Sequence, residues 1–181
     1  MDTEKASVKK TAINYGLVLG GFLALLTVVL YAVSLESLTK WWLGIVIFLI
    51  ALAVGIVSVA KSKSILGGFI SFKQAFTSYF ITIALGLFIS VIVGILLFNF
   101  VDPEAAEVLK EQIVVMTESM MERFGAPQEE IDKAITKLEE EDSFGIGKQL
   151  QNYVFQLIFY SIFGLLVALI MKRKDKNQLP S

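Results

Sequence analysis

Four uninterrupted apolar runs set the outline of this chain. They cover about residues 11–33, 41–60, 75–101 and 150–171, and no acid, lysine or arginine falls inside any of them. A run of about eighteen or more apolar residues reads as a membrane span, because a helix rising ~1.5 Å per residue then crosses a hydrocarbon core of ~30 Å. A charge at mid-bilayer would oppose insertion by about 2.5–3.5 kcal/mol, whereas each Leu, Ile, Phe or Val favours it by about 0.3–0.6 kcal/mol. All four runs are therefore predicted to insert. The third, the longest, is expected to tilt or to project beyond the core.

Between the third and fourth runs the pattern changes. Residues 102–149 place apolar side chains at helical spacing among charges: Leu109, Ile113, Met116, Met120 and Phe124, then Ile131, Ile135 and Leu138. Asp102 followed by Pro103 makes an N-cap with proline in the first turn, and Glu104 suits the positive helix end. Gly125 can close that helix and Pro127 can open a second. The predicted fold is all-α: a polytopic membrane protein, one membrane domain over residues 1–181, with four transmembrane helices. An extracytoplasmic helical hairpin stands between spans three and four.

The first run follows Lys5, Lys9 and Lys10 and ends near Ala32–Ser34, a loose likeness of a cleavable signal peptide. Its apolar length exceeds the usual ~7–15 residues, which favours a retained span.

Charge gives the direction. The first ten residues, the 61–74 connection and the tail after Met171 together hold ten bases against three acids, Asp2, Glu4 and Asp175. The 102–149 segment holds thirteen acids and five bases, a net of −8. The positive-inside rule then puts both termini and the 61–74 connection in the cytoplasm, and the acidic segment across the membrane, in a bacterium in the periplasm. Tyr31, Trp41, Trp42, Phe98, Phe100 and Tyr153 fall near the outer interface, as an aromatic belt would. The expected location is a bacterial inner membrane, multi-pass.

Composition narrows the chemistry. Among 181 residues, 55% hydrophobic, there is no histidine and no cysteine. Disulfides, thiolate metal sites and the commonest general base are thereby absent. The acid run has no EF-hand loop with its central glycine. Glu104, Glu107 and Glu111 are the carboxylates an enzyme would need at the outer surface, and nothing in their spacing singles them out. No catalytic, cofactor-binding or metal-binding residue is expected, and nothing points to nucleic acid.

The turn between spans two and three, "KSKSILGGFISFKQAFTSYF" at residues 61–80, is the densest motif. Lys61 and Lys63 stop span two at the anionic headgroups. Gly67 and Gly68 permit a sharp reversal. Ser71 and Gln74 fit a capping box, with Phe72, Phe76 and Phe80 on one face of the helix that follows. The rival reading makes the glycines a phosphate cradle, but no strand precedes them and no G-x-x-x-x-G-K-[ST] pattern is present.

The stretch "GGFISFKQAF", preceded by that basic connection and followed by a long span, resembles the motif of the DUF4199 family, small bacterial inner-membrane proteins of unknown function. The acidic insert, with "FGAPQEEIDKAI" at residues 124–135, and the four-span order resemble that family too. The likeness covers roughly residues 8–172. It implies a membrane location and brings no activity, cofactor or catalytic residue.

Small residues at close spacing predict where spans meet, since lipid offers no hydrophobic drive for helices to associate. Gly16 and Gly20, Ala51 and Gly55, Gly86, Ser90 and Gly94, and Gly164 and Ala168 each form a candidate seam. Such a seam could serve the chain itself or a second copy. Asn99, Asn152 and Gln156 are the outer-half amides: helix glue in one reading, a solute site in a transporter in the other. Met116, Met120, Met121 and Phe124 are either hairpin packing or an adaptable partner face. The expected function is a non-enzymatic scaffold or accessory component, the alternative a small transporter or pore. Its partners are the lipid bilayer and, through seams or hairpin, a protein or another copy.

Overall fold

A computed structural model describes residues 2–173, with side chains from Ala6 onward. The bases Lys5, Lys174 and Lys176 and the acids Asp2, Glu4 and Asp175 of the charge count lie outside the described side chains. Six α-helices follow one another: α1 Asp2–Val33, α2 Trp41–Ile65, α3 Phe72–Leu96, α4 Pro103–Arg123, α5 Gln128–Glu140 and α6 Ile146–Met171. A 3-10 turn, Leu35–Thr39, joins α1 to α2, and a π turn, Leu97–Val101, ends α3.

Among the described residues four helical stretches are long and apolar enough to cross a membrane: Ala6–Val33, Trp41–Ile65, Phe72–Val101 and Ile146–Met171. The first three spans run further at the basic end than the charge-free windows suggest, and the fourth runs further at the acidic end, past Lys148. Lysines limited those windows, but a lysine stem can lie along apolar surface while its head reaches water. Outward faces carry Leu17, Leu25, Ile158 and Ile170, exposed as a lipid-facing surface would be.

The bundle is organised round α3, on which α1, α2 and α6 all pack. α1 and α3 run parallel in one register: Ala12 meets Thr82, Gly16 meets Leu85, Gly20 meets Ile89 and Tyr31 meets Asp102. The seam closes because its glycines leave room. A Cβ on Gly86 would stand 2.6 Å from Leu19 Cδ2, and one on Gly20 would stand 2.6 Å from Ile89 Cδ1.

The other joint is built on one ring. Tyr79 of α3, 1% exposed, lies between Gly55 of α2 and Gly164 of α6. A Cβ at either glycine would come within 2.6 Å of that ring. Phe48 on α2 packs tilted or edge-on against Phe159, Tyr160 and Phe163 of α6, with centroids 5.0–5.7 Å away. Each seam thus pairs a glycine on one helix with a large side chain on its neighbour.

Candidate functional site

The two ends of the bundle differ in chemistry: Lys9, Lys10, Lys61, Lys63, Lys73, Lys172 and Arg173 mark one, the acidic hairpin the other. At the acidic end, α4 and α5 pack on each other, and α4 also rests on the 3-10 turn and the π turn. Asp102 caps α4, its Oδ1 accepting from the Ala105 backbone N–H at 3.0 Å. Its Oδ2 accepts from the Tyr31 hydroxyl at 2.6 Å. Donation by Tyr31, with the backbone N–H bonds, holds the Asp102 carboxyl below its ordinary pKa.

Two further bonds fix the segment. Thr39 Oγ1 donates to Gln112 Oε1 at 3.2 Å, and Asn99 Nδ2 donates to the Phe144 carbonyl at 2.9 Å. Leu109, 2% exposed, plugs against Leu97, Phe98 and Ala105. Nearer α6, the Lys148 ammonium 2.8 Å from Glu141 holds that carboxyl below its ordinary value.

Beside Leu109 lies an apolar groove of about 470 Å³, walled by Leu38, Phe98, Ile113 and Met116. The methionine face expected from the sequence is split. Met116 turns into this groove and Met121 is half-buried, while Met120 is exposed and Phe124, at the end of α4, is 85% exposed.

The expected amide cluster is not brought together. Asn99 is spent on the Ile95 and Phe144 carbonyls, and Asn152 is exposed with no side-chain bond to a described residue. Gln156 borders a cavity of about 250 Å³ in the acidic half, which Thr27, Ser90, Gly94 and Gln149 also line. Leu23 and Leu87 lie at its limit toward the basic half. The cavity polar groups come from three helices, so no one run of sequence displays them.

The glycine turn at the basic end does more than reverse the chain. Gly67 and Gly68 have φ of +72° and +91°, where a Cβ is strained. Ser71 accepts from the Gln74 backbone while the Gln74 side chain accepts from the Ser71 N–H, completing the capping box. Phe76 stacks on Phe80 at 5.8 Å, whereas Phe72 stands exposed at the helix start. Beyond these local features, the turn grips the chain leaving α6. Ile70 N donates to Arg173 O at 3.1 Å, and Arg173 N donates to Ile70 O at 2.9 Å. The Arg173 guanidinium lies 5.5 Å from the Phe69 ring centroid, and Lys63 Nζ donates to the Met171 carbonyl at 3.0 Å.

Sequence reasoning also missed a chain of hydroxyls buried in the basic half. Ser62 Oγ lies 2.8 Å from Ser78 Oγ, which lies 3.1 Å from Ser58 Oγ. Thr82 Oγ1 lies 2.7 Å from Ser58 Oγ and reaches the Ala12 carbonyl of α1 at 3.1 Å. Its signal was the matched i, i+4 spacing of Ser58 with Ser62 and of Ser78 with Thr82. Among the described residues no three carboxylates gather as a metal site would require.

A family model for a protein of unknown function, DUF4199, matches residues 14–173. No curated protein and no solved structure matches the chain.

Proposed function

The chain belongs to the DUF4199 family, and from that premise we propose that it is a non-enzymatic membrane scaffold or accessory component whose working surface is the acidic hairpin. The observation that carries this reading is the way α4 is held. Tyr31 bonds Asp102 at the start of α4, Thr39 bonds Gln112 halfway along it, and Asn99 ties the link into α6. A segment merely shed from the bilayer would need none of these bonds. Its far end presents Phe124 and Met120 to solvent. A fixed arm with an exposed aromatic tip is suited to docking, since buried aromatics dominate protein interfaces.

In this reading both termini are cytoplasmic and the hairpin lies on the opposite side, supported by the sorting of bases from acids. The test places a photoreactive amino acid at Phe124 in native membranes, with Phe155 on the apolar face of α6 as comparison. A protein adduct of discrete mass at 124, with lipid adducts alone at 155, is the expected result. Lipid adducts at both positions would dismiss the docking arm.

A second reading, a small transporter, has one observation behind it: the cavity bounded by Thr27, Ser90, Gln149 and Gln156. Against it, the described span interiors carry no acid, lysine or arginine of the kind ion-coupled carriers use. Solute flux in proteoliposomes that Gln156→Leu abolished would favour transport over scaffolding.

A further inference from the structure

At the basic end, α1 and α2 part to leave a pocket of about 340 Å³, the size of a small-molecule cleft. α2 turns Ser58 and Ser62 to α3. Lys61, beside Ser62, is left bordering this pocket, where Lys10 joins it from α1. Ser7, Thr11, Asn14 and Tyr15 of α1 and Ile65 of α2 complete the wall. Neither lysine, nor Asn14 or Tyr15, hydrogen-bonds or ion-pairs with a described side chain. Two other bases at this end are engaged, Lys63 on the Met171 carbonyl and Arg173 over Phe69.

We infer that this pocket binds a phosphate ester, with Lys10 and Lys61 neutralising the phosphate and Asn14 and Tyr15 donating hydrogen bonds to its oxygens. Two lysines from different helices lining one pocket, beside neutral donors and Ile65, match an anionic headgroup with its first glyceryl carbons. The pocket also stands at headgroup depth, because Lys10 and Lys61 border the charge-free stretches 11–33 and 41–60. A soluble phosphate ester shares the same chemistry, and the experiment separates the two. The assignment is independent of the hairpin reading, which concerns the opposite end.

The full chain is purified in detergent and its retained lipid measured by native mass spectrometry, with phosphatidylglycerol offered against phosphatidylcholine. In a parallel arm inorganic phosphate is titrated calorimetrically. Each lysine is expected to contribute about fivefold, so K10Q/K61Q should weaken phosphatidylglycerol retention about twenty-five-fold. K10R/K61R should retain it, and an unchanged thermal midpoint would show that K10Q/K61Q folds. K9Q/K73Q removes equal charge from the same end outside the pocket and should weaken retention less than K10Q/K61Q does. If only the inorganic phosphate signal depends on Lys10 and Lys61, the site takes a soluble ester. If K9Q/K73Q weakens retention as much as K10Q/K61Q, or K10Q/K61Q alters neither arm, the assignment is overturned.

Discussion

The Tyr31 hydroxyl, near the end of the first span, donates to the Asp102 carboxylate at 2.6 Å. Through that carboxylate it holds the N-terminus of α4, because the other Asp102 oxygen caps the helix. One side chain therefore joins span, helix cap and hairpin. Asp102→Ala should loosen the first turn of α4 and leave the spans intact. Amide exchange there should rise about fivefold, the scale of a lost N-cap. Tyr31→Phe should produce a smaller rise of the same kind. Unchanged exchange in both variants would mean that the Thr39–Gln112 bond and the packing of Leu109 fix α4 without Asp102.

The same contact sets a pH dependence. The Asp102 carboxyl lies below its ordinary pKa in the folded chain, chiefly through the Tyr31 hydrogen bond. Its folded value being the lower, its contribution is complete above the unfolded carboxylate pKa of about 3.9 and is lost as pH falls through the folded value. Other carboxylates titrate in the same window, so the measurement is a difference. Amide exchange at α4 in wild type and Asp102→Asn should diverge near neutral pH and converge as pH falls through the folded value of the Asp102 carboxyl. Parallel profiles would remove the Tyr31 bond as the cause.

Tyr79 offers two predictions of opposite sign. Gly55→Ala or Gly164→Ala drives a methyl to within 2.6 Å of its ring, and should cost about 1–3 kcal/mol by overpacking. Gly44→Ala meets nothing within 4 Å and should be neutral. By contrast, the Tyr79 hydroxyl is a buried group with no hydrogen-bond partner among the described residues. Tyr79→Phe removes that unpaired group and should stabilise by about 1 kcal/mol. Thermal unfolding in detergent reads all four, and a destabilised Tyr79→Phe would show that the hydroxyl has a partner.

The contrast between these residues shows how far sequence reading reaches. The Ser71–Gln74 capping box was legible because both partners lie within four residues and the geometry is set by the backbone. The spans were legible because bilayer thickness imposes a length. Gly86 was recognisable as a small residue at a seam, but not its partner Leu19, which the chain brings back only after a second span. That Gly55 and Gly164 serve one ring has no sequence signature at all. Asn99, Asn152 and Gln156 misled for a related reason: Asn99 bonds a backbone carbonyl, and carbonyls are the same at every position. The clasp between Ile70 and Arg173 is likewise written in backbone groups.

The buried hydroxyls can be weighed against the glycines. Ser78 shares hydrogen bonds with both Ser58 and Ser62, joining α2 to α3. At about 0.6 kcal/mol for each interhelical bond in a membrane, Ser78→Ala should cost about 1 kcal/mol. Thr82→Val keeps the shape and loses the bonds to Ser58 and the Ala12 carbonyl. It should cost a similar amount, about 1 kcal/mol, and act on the α1–α3 seam as well. Denaturant titration in detergent micelles measures both. Costs near zero would assign the joint to packing alone.

The clasp at the basic end makes the last prediction, and it concerns cleavage. Lys63 sits at the end of α2 yet bonds the final carbonyl of α6, where a cation is favoured by the unpaired carbonyls of a helix terminus. The two backbone bonds between Ile70 and Arg173 then hold Arg173 in an extended pairing. Gly68 aligns that pairing with a φ of +91°, which a β-branched residue would adopt at a cost of about 1–2 kcal/mol. Trypsin cuts after Lys172 or Arg173 only when this segment opens. Lys63→Met should speed that cut about fivefold, the scale of one cation at a helix end. Gly68→Val should speed it more, about tenfold, since it displaces both backbone bonds at once. Equal rates in wild type and both variants would mean that the tail leaves the turn as often with the clasp as without it.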